Sequence, residues 1–189
     1  RVPDPPVAVD ARNRGPRRTM TDRNLPTRKS IRLPGYDYAA PNWYLVTICA
    51  AERRPVFGEI SGTEMVLSDA GQVVERRWLR LPEFYPRVGL ENFIVMPNHI
   101  HGILVIGEPG PAPQLSRQRK HRLSEIVRGF KSMSAREINR GTRDRRPLWQ
   151  RGYYEHIIRD DADLARIREY IDNNPIAWAN DPENPIRIP

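Results

Sequence analysis

The sequence contains a single cysteine, Cys49, among its 189 residues. One cysteine excludes a disulfide framework within the chain and a metal site built from several thiolates. Long apolar runs are also missing, since none approaches the roughly 18 residues of a candidate membrane span. The first residues are rich in proline and arginine, where a secretory signal would be apolar. These absences favour a cytoplasmic protein without a membrane partner.

Positive charge is in excess, with 31 Lys and Arg against 23 Asp and Glu and a formal net charge of +8 at pH 7. Such an excess favours a polyanionic partner, for example nucleic acid. The length suits one compact domain with tails. Residues 1–30 combine scattered arginine and proline with little apolar periodicity, which predicts a flexible basic arm. We expect the folded domain over residues 31–178 and a C-terminal tail over residues 179–189.

Apolar patterns in the first half of this domain predict one helix between strands. A β-branched and aromatic run at 43–49 predicts the first strand. A helix is predicted to begin after Ser68, a residue type that caps helices, and to end near Pro82. Two short apolar runs, 92–96 and 100–106, predict a pair of strands, because a Pro-Asn dipeptide separates them.

The second half adds a linker, two helices and one strand. Residues 107–122 have linker composition and end in a basic stretch, which predicts a mobile segment. An amphipathic helix is predicted from Leu123, a strand over 153–158, and a last helix from Asp160 to about Pro175. The resulting order matches the βαββαβ plan of ferredoxin-like folds. We therefore predict an α+β fold with an antiparallel sheet, helices on one face and an additional C-terminal helix.

Two histidines stand at strand spacing. Because side chains alternate along a strand, His99 and His101 point to one face and Ile100 to the other. Two imidazoles on one strand are apt ligands for a divalent metal, although the set needs further ligands. The alternative is a pair of buried histidines satisfied by hydrogen bonds. A histidine-triad hydrolase would want a third histidine where Ile103 stands, and a zinc peptidase would want helical spacing.

The last predicted helix carries a tyrosine and an asparagine four residues apart. Tyr170 and Asn174 lie together at the edge of its apolar face, so a hydroxyl and a carbonyl oxygen share one rigid element. Alternatively, Tyr170 packs at the edge of the core and Asn174 caps the helix. Tyr153 and Tyr154 are competing candidates for a reactive tyrosine, and aromatic residues in that region could instead stack on bases.

Three blocks in combination resemble a known family. They are Met96-Pro97-Asn98-His99-Ile100-His101-Gly102, Trp149-Gln150-Arg151-Gly152-Tyr153-Tyr154-Glu155-His156 and Tyr170-Ile171-Asp172-Asn173-Asn174-Pro175. The chain resembles the single-tyrosine HUH transposases, in particular the REP-associated tyrosine transposases, over most of its length. The resemblance implies that His99 and His101 hold Mg²⁺ or Mn²⁺, that Tyr170 is the nucleophile, and that Asn174 occupies the third-ligand position. Related transposases often carry glutamine there.

The resemblance also implies an activity. We expect a metal-dependent endonuclease and strand transferase that acts on single-stranded hairpin or palindromic DNA through a 5′-phosphotyrosine intermediate. A replication-initiator-like HUH nuclease and a non-catalytic nucleic-acid-binding module on a ferredoxin-like sheet are the alternatives. Both a homodimer and a monomer fit. Basic residues that we expect at DNA phosphates, as opposed to a merely solvated surface, are Arg119, Lys120, Arg122, Arg128, Lys131, Arg136 and Arg151.

Overall fold

The computed structural model describes residues 35–107, 119–140, 146–180 and 184. The predicted arm at 1–30 lies outside the described residues, as do most of the predicted linker at 107–122 and most of the tail at 179–189. Those predictions, and the domain boundaries that depend on them, stay predictions. Within the described ranges, no helix has the length and hydrophobicity needed to cross a bilayer.

Six strands and five α-helices alternate along the described chain. In chain order they are β1 (Asn42–Cys49), β2 (Gly58–Ser61), β3 (Glu64–Leu67), α1 (Asp69–Leu79), α2 (Leu81–Phe84), β4 (Val88–Met96), β5 (His99–Ile106), α3 (Leu123–Ile138), β6 (Tyr154–Ile158), α4 (Asp161–Asp172) and α5 (Asn174–Ala177). The side chains of Ser68 and Asp160 cap α1 and α4, each accepting a hydrogen bond from a backbone N–H of the first turn. The predicted helix starts are therefore confirmed.

The main sheet has the strand order β4-β5-β1-β6, and every pair of neighbours is antiparallel. Both crossovers, from β1 through α1 to β4 and from β5 through α3 to β6, pass over one intervening strand. This is the ferredoxin-like arrangement, so the predicted fold class is confirmed. Strands β1 and β5 are central, and their register places Thr47 opposite His101 and Cys49 opposite His99.

The two faces of the sheet are covered by different helices. Helices α1 and α3 pack on one face, where Trp78 and Phe130 are fully buried against strand residues such as Tyr44 and Leu104. Helix α4 covers the opposite face, where its Ile167 and Ile171 pack with Leu45, Ile103 and Ile158 of β1, β5 and β6. The predicted additional C-terminal helix therefore forms a layer of its own across the sheet from the other two.

A glycine allows a large side chain to lie directly behind the histidine strand. Gly102 follows His101 in β5 and faces the α1 side, where a Cβ atom would stand only 2.3 Å from Cζ2 of Trp78. The Trp78 ring also stacks on Phe93 of β4, at a centroid distance of 4.9 Å. The backbone of β5 is therefore supported from the face opposite to the imidazoles.

A small second sheet, formed by β2 and β3, was not predicted. Its strands pair only with each other, and half of their side chains are exposed. Strand β4 also begins earlier than predicted, at Val88, because a register shift between Leu90 and Phe93 continues its pairing with β5 beyond the apolar run.

Candidate active site

His99 and His101, which we call the histidine pair, lie on the face of the sheet covered by α4. Both are buried, with exposed fractions of 0% and 3%. Their Nε2 atoms are 2.9 Å apart. Two nitrogens bound to one ion at about 2.0–2.1 Å and roughly a right angle would be about 3 Å apart, so the spacing fits a shared metal.

The orientation of His99 is set by its neighbour in the β4–β5 turn. The Asn98 amide nitrogen donates to the carbonyl oxygen of Arg53 at 3.0 Å, which turns the amide oxygen toward His99. That oxygen lies 2.8 Å from Nδ1 of His99 and can only accept a hydrogen bond. Nδ1 of His99 is therefore the protonated nitrogen, and Nε2 presents a lone pair toward His101. Such an outer partner is typical of metal-binding histidines.

A threonine on the adjacent strand holds the second imidazole. Thr47 Oγ1 lies 2.8 Å from Nδ1 of His101, as the cross-strand register places the two residues opposite each other. A hydroxyl both donates and accepts, so Thr47 serves either neutral tautomer of His101. With Nδ1 protonated and donating to Thr47, Nε2 of His101 presents a second lone pair at the same point as His99.

Burial keeps both rings neutral. The pKa of His99 is lowered from 6.5 to about 2, mainly by loss of hydration and to a smaller extent by electrostatic repulsion from His101 and Arg53. Burial also lowers the pKa of His101, to about 4. Neutral imidazole is the form that binds metal ions, so at neutral pH the histidine pair is in the protonation state that a metal site requires.

Tyr170 on α4 is the tyrosine that reaches this pair. Its Oη atom is 3.2 Å from Nε2 of His101, and the two rings meet edge to face at a centroid distance of 5.0 Å. The side chain is 48% exposed, so one side of the phenol contacts His101 and the other is open to a substrate. The prediction that Tyr170 lies at the edge of the apolar face of the helix agrees with the structure.

Polar contacts fasten α4 to the sheet on either side of Tyr170. Arg168 forms an ion pair with Glu91 of β4, and the Asn92 amide donates to the Asp172 carboxylate at 2.9 Å. Together with the buried isoleucines of α4, these contacts fix the height of the helix above β5. The position of the phenol relative to the histidines is therefore determined by several independent interactions.

Asn174 is buried next to this helix, with 2% of its surface exposed. Asn173, between α4 and α5, keeps helical backbone angles, so Asn174 lies one turn beyond Tyr170. Its Oδ1 atom is buried and has no hydrogen-bond partner among the described residues. A buried carbonyl oxygen without a partner costs stability unless another group satisfies it, and it is a suitable oxygen ligand for Mg²⁺ or Mn²⁺.

The candidate metal ligands here are the two imidazoles, and the Asn174 amide oxygen is a further candidate. Among the described residues there is no cluster of three or more His, Cys, Asp or Glu side chains that could hold a metal ion. An ion at the histidine pair would therefore have to complete its coordination with other ligands, and the buried Asn174 Oδ1 is one candidate. Two imidazoles and an amide oxygen fit a divalent ion that takes its remaining ligands from other oxygens.

The competing tyrosines occupy different places. Tyr154 is 49% exposed and lies on the same face as the histidine pair, opposite Thr47. Tyr153 faces the other side of the sheet and packs against the α1 and α3 core. Trp149 is buried and donates from its indole nitrogen to Ser134 Oγ at 3.0 Å, which excludes it as an exposed stacking residue. Tyr170, in contrast, contacts His101 through both its hydroxyl and its ring.

Six of the seven predicted DNA-contact residues lie on α3 or just before it, and α3 packs across the sheet from the histidine pair. Exposed members are Arg119, Lys120, Arg122, Arg128, Arg136 and, before β6, Arg151. Arg119 forms a 2.9 Å ion pair with Glu125. Lys131 is half-buried, and its ammonium donates to the carbonyl oxygens of Gln150 and Gly152 at 2.6 and 2.9 Å. Burial lowers the pKa of Lys131. Its ammonium group therefore binds the loop before β6.

Three residues near the histidine pair were not predicted: Asn98, Thr47 and Trp178. Asn98 belongs to the Met96–Gly102 block, and its position directly before His99 could have indicated a role in orienting that histidine. Thr47 reaches His101 because of the β1–β5 register, which no local sequence pattern indicates. Trp178 follows α5, and its ring lies near that of His99, at a centroid distance of 6.0 Å.

Residues 85–174 match the family model described as Transposase IS200 like. The chain therefore contains an IS200-like transposase domain, of a family of DNA-processing enzymes. The matched residues contain the histidine pair, Tyr170 and Asn174. The matched segment therefore includes every candidate metal ligand together with the tyrosine.

Two relatives come from Haemophilus influenzae strain Rd. An uncharacterized protein is 39% identical over 174 residues, which is 86% of this chain and 96% of the relative. A protein with the provisional name REP-associated tyrosine transposase is 25% identical over 145 residues, or 74% and 73% of the two chains. The solved structure of a REP-associated tyrosine transposase bound to a REP hairpin shares the fold, with a TM-score of 0.53, 18% identity and coverage of 75% and 74%.

Proposed function

We propose that this protein is a metal-dependent endonuclease and strand transferase for single-stranded DNA, with Tyr170 as its nucleophile. The observation that carries the proposal is the contact between Tyr170 Oη and His101 Nε2 at 3.2 Å, beside a His99 Nε2 only 2.9 Å further on. The proposed nucleophile, the Tyr170 hydroxyl, thus lies next to the candidate metal site at the histidine pair. Membership in a transposase family supports the same reaction class.

His99, His101 and Asn174 would hold the ion, which we assign as Mg²⁺ or Mn²⁺ by resemblance to the family. When bound, such an ion supplies positive charge that polarises a phosphate oxygen and stabilises the charge that develops there during attack. The chain's own residues prepare the site. Asn98 and Thr47 orient the imidazoles, and burial keeps both rings neutral.

Tyr170 would attack the phosphorus of one phosphodiester. The Oη–P bond forms as the bond between phosphorus and the 3′ oxygen breaks, which leaves a 5′-phosphotyrosine and a free 3′-hydroxyl. The phenolic proton is lost to water, and the departing 3′ oxygen takes a proton from water, so no net proton is consumed. The open side of the half-exposed phenol provides the approach for the phosphate.

Strand transfer reverses this step with another end. A different 3′-hydroxyl attacks the phosphotyrosine, the new phosphodiester forms, and the phenol is released and takes up a proton. No nucleotide cofactor is needed, because the phosphotyrosine retains the bond energy. We further propose hairpin or palindromic DNA as the substrate. The REP hairpin in the structure of the similar transposase and the net charge of +8 support this choice.

A covalent adduct provides the test. Single-stranded hairpin oligonucleotides with randomised flanks and a 3′ fluorescent label are incubated with the protein and Mn²⁺, then separated on a denaturing gel. We expect a labelled protein band, because the 3′ fragment stays attached to the tyrosine. The band should disappear with Tyr170→Phe and with EDTA.

Tyr154→Phe is the matched control, since Tyr154 is on the same face and equally exposed, at 49% against 48%. This variant should form the adduct normally. An adduct that survives Tyr170→Phe and vanishes with Tyr154→Phe would move the nucleophile to β6. Binding of the pool without any adduct would instead favour the non-catalytic nucleic-acid-binding module. Cleavage of strands without rejoining would favour a nuclease of the replication-initiator type.

A further inference from the structure

A cavity of about 430 Å³ lies on the far side of the sheet from the histidine pair. Its walls come from the segment before β1, from the start of α3 and from the residue before β6. The side chains that matter for its chemistry are Tyr36, Asp37, Tyr38, Arg122, Ser124 and Tyr153. Three aromatic rings, one carboxylate and one guanidinium therefore meet in a space within the size range of small-ligand pockets.

Hydrogen bonds hold the aromatic wall in place. The Asn42 amide donates to Tyr36 Oη at 2.7 Å, and the Tyr36 and Tyr44 hydroxyls are 3.3 Å apart. The Tyr36 and Tyr38 rings pack edge to face at 4.8 Å, and the carbonyl of Tyr38 accepts from the N–H of Leu123 in α3. Flat rings held in this way suit a planar ligand, which loses little entropy on stacking against them.

The polar groups favour a base attached to a phosphate backbone. Arg122 is exposed at the rim, where its guanidinium can contact a phosphate or stack on a base. Asp37 is oriented by the Ala39 N–H, which donates to its Oδ1 at 3.0 Å. A carboxylate accepts hydrogen bonds from exocyclic amino groups of bases. Stacking surface, positive charge and an acceptor are the components with which proteins hold unpaired bases.

The edge strand β6 connects this cavity with the histidine pair. Tyr153 lines the cavity, and the next residue, Tyr154, lies on the opposite face, where it is paired with Thr47. Thr47 in turn contacts His101. Lys131 fixes the loop before these tyrosines through its two carbonyl contacts. A DNA strand at the histidine pair can therefore reach the cavity by passing around one edge of the sheet.

We propose that the cavity binds one unpaired base of the same DNA strand whose phosphate lies at the histidine pair. This proposal rests on the proposed function, because it takes single-stranded DNA as the substrate. It assigns Tyr38 and Tyr153 to stacking and Arg122 to the adjoining phosphate.

An abasic scan tests the assignment. The hairpin oligonucleotide that binds most tightly in the randomised pool is selected by fluorescence anisotropy in EDTA, independently of cleavage. Single abasic sites are then introduced at each unpaired position. With the wild-type protein we expect one position at which base removal weakens binding about tenfold, since stacking of a base on an aromatic ring has an effect of that order.

Two variants should remove that position's effect. Tyr38→Leu removes the flat ring, and Arg122→Ser removes the charge while placing a good capping residue before α3. In both, we expect base removal at the sensitive position to change affinity less than about twofold, because the stacked base is no longer held. Arg128→Ser is the matched control: it removes one exposed arginine from α3 itself, and the position-specific effect should persist.

The outcomes separate the two proposals. A sensitive position that persists in both variants, or no sensitive position at all, overturns the cavity assignment even where the adduct forms. If no adduct forms but both variants abolish a position-specific effect, the catalytic proposal is overturned and base binding is supported. Circular dichroism checks the fold of each variant. Arg122→Ser alone decides the question if Tyr38→Leu unfolds, since Arg122 is exposed.

Discussion

Asn174→Leu is expected to change stability in opposite directions with and without metal. The Oδ1 atom of Asn174 is buried without a hydrogen-bond partner among the described residues. Burying such an acceptor costs about 1–3 kcal/mol. Leucine has a similar size and no polar side-chain atom. In EDTA, the free energy of unfolding of the variant should therefore exceed that of the wild-type protein by about 1–3 kcal/mol.

With Mn²⁺ the comparison should reverse. An ion that binds the native state at 100 times its Kd stabilises the wild-type protein by about 2.7 kcal/mol. Asn174→Leu removes one of the three proposed protein ligands and should lose most of this increment. Urea denaturation with EDTA and with a Mn²⁺ series, followed by circular dichroism, measures both effects on the same samples.

Asn173→Leu provides the control, because the neighbouring asparagine is exposed. It should leave the Mn²⁺ increment unchanged. The reasoning is refuted if Asn174→Leu keeps the full Mn²⁺ increment, which would show that Asn174 is not a ligand. It also fails if the variant is destabilised in EDTA, since Oδ1 would then have an energetic partner that the geometry does not show.

Three further predictions concern the surroundings of the histidine pair. Gly102→Ala should lower the free energy of unfolding by about 1–3 kcal/mol in urea denaturation, because its Cβ would meet the Trp78 ring at 2.3 Å. Gly89→Ala, where the nearest atom is 3.4 Å away, should have a smaller effect, and equal losses would contradict the packing argument. Thr47→Val removes the hydrogen bond to the second imidazole and should weaken Mn²⁺ binding, measured by calorimetry, by about tenfold or more; unchanged affinity would show that the hydroxyl does not orient the ring. Stability should fall as the pH drops from about 6.5 towards 4, because the unfolded histidines take up protons there while the buried pair, with pKa values lowered to about 2 and about 4, stays neutral. The slope should reach up to about 2.7 kcal/mol per pH unit for two protons, and a double His→Gln variant that retained the full slope would assign it to other groups.

The main sheet and its long helices were predictable because their signals are local. Alternating or continuous apolar runs marked the strands, and Ser68 and Asp160 marked two helix starts. The β2–β3 hairpin was missed because its strands are only four residues long and half exposed. Strands of this kind show no clear run of apolar residues in the sequence. The face covered by α4 could not be predicted either, since an amphipathic helix shows which of its own sides is apolar and not which side of the sheet it meets.

The candidate site was predictable to the extent that its residues are spaced within one element. His99 and His101 alternate along one strand, and Tyr170 and Asn174 stand one helical turn apart. Contacts across elements were not visible. The approach of Tyr170 to His101 depends on how α4 packs on β5, and the role of Thr47 depends on strand register. Lys131 was predicted to contact DNA from the basic pattern alone. That pattern could not show that its ammonium donates hydrogen bonds to two backbone carbonyls.

The enclosure of the histidine pair has a consequence for the order of events during turnover. Trp178 lies beside one imidazole and Tyr170 beside the other, and almost none of either histidine meets solvent. An ion bound between them would lie beside Tyr170, where the proposed function places the DNA phosphate. We therefore expect bound DNA to slow the removal of the ion by a chelator, so that one ion would be retained through both cleavage and rejoining.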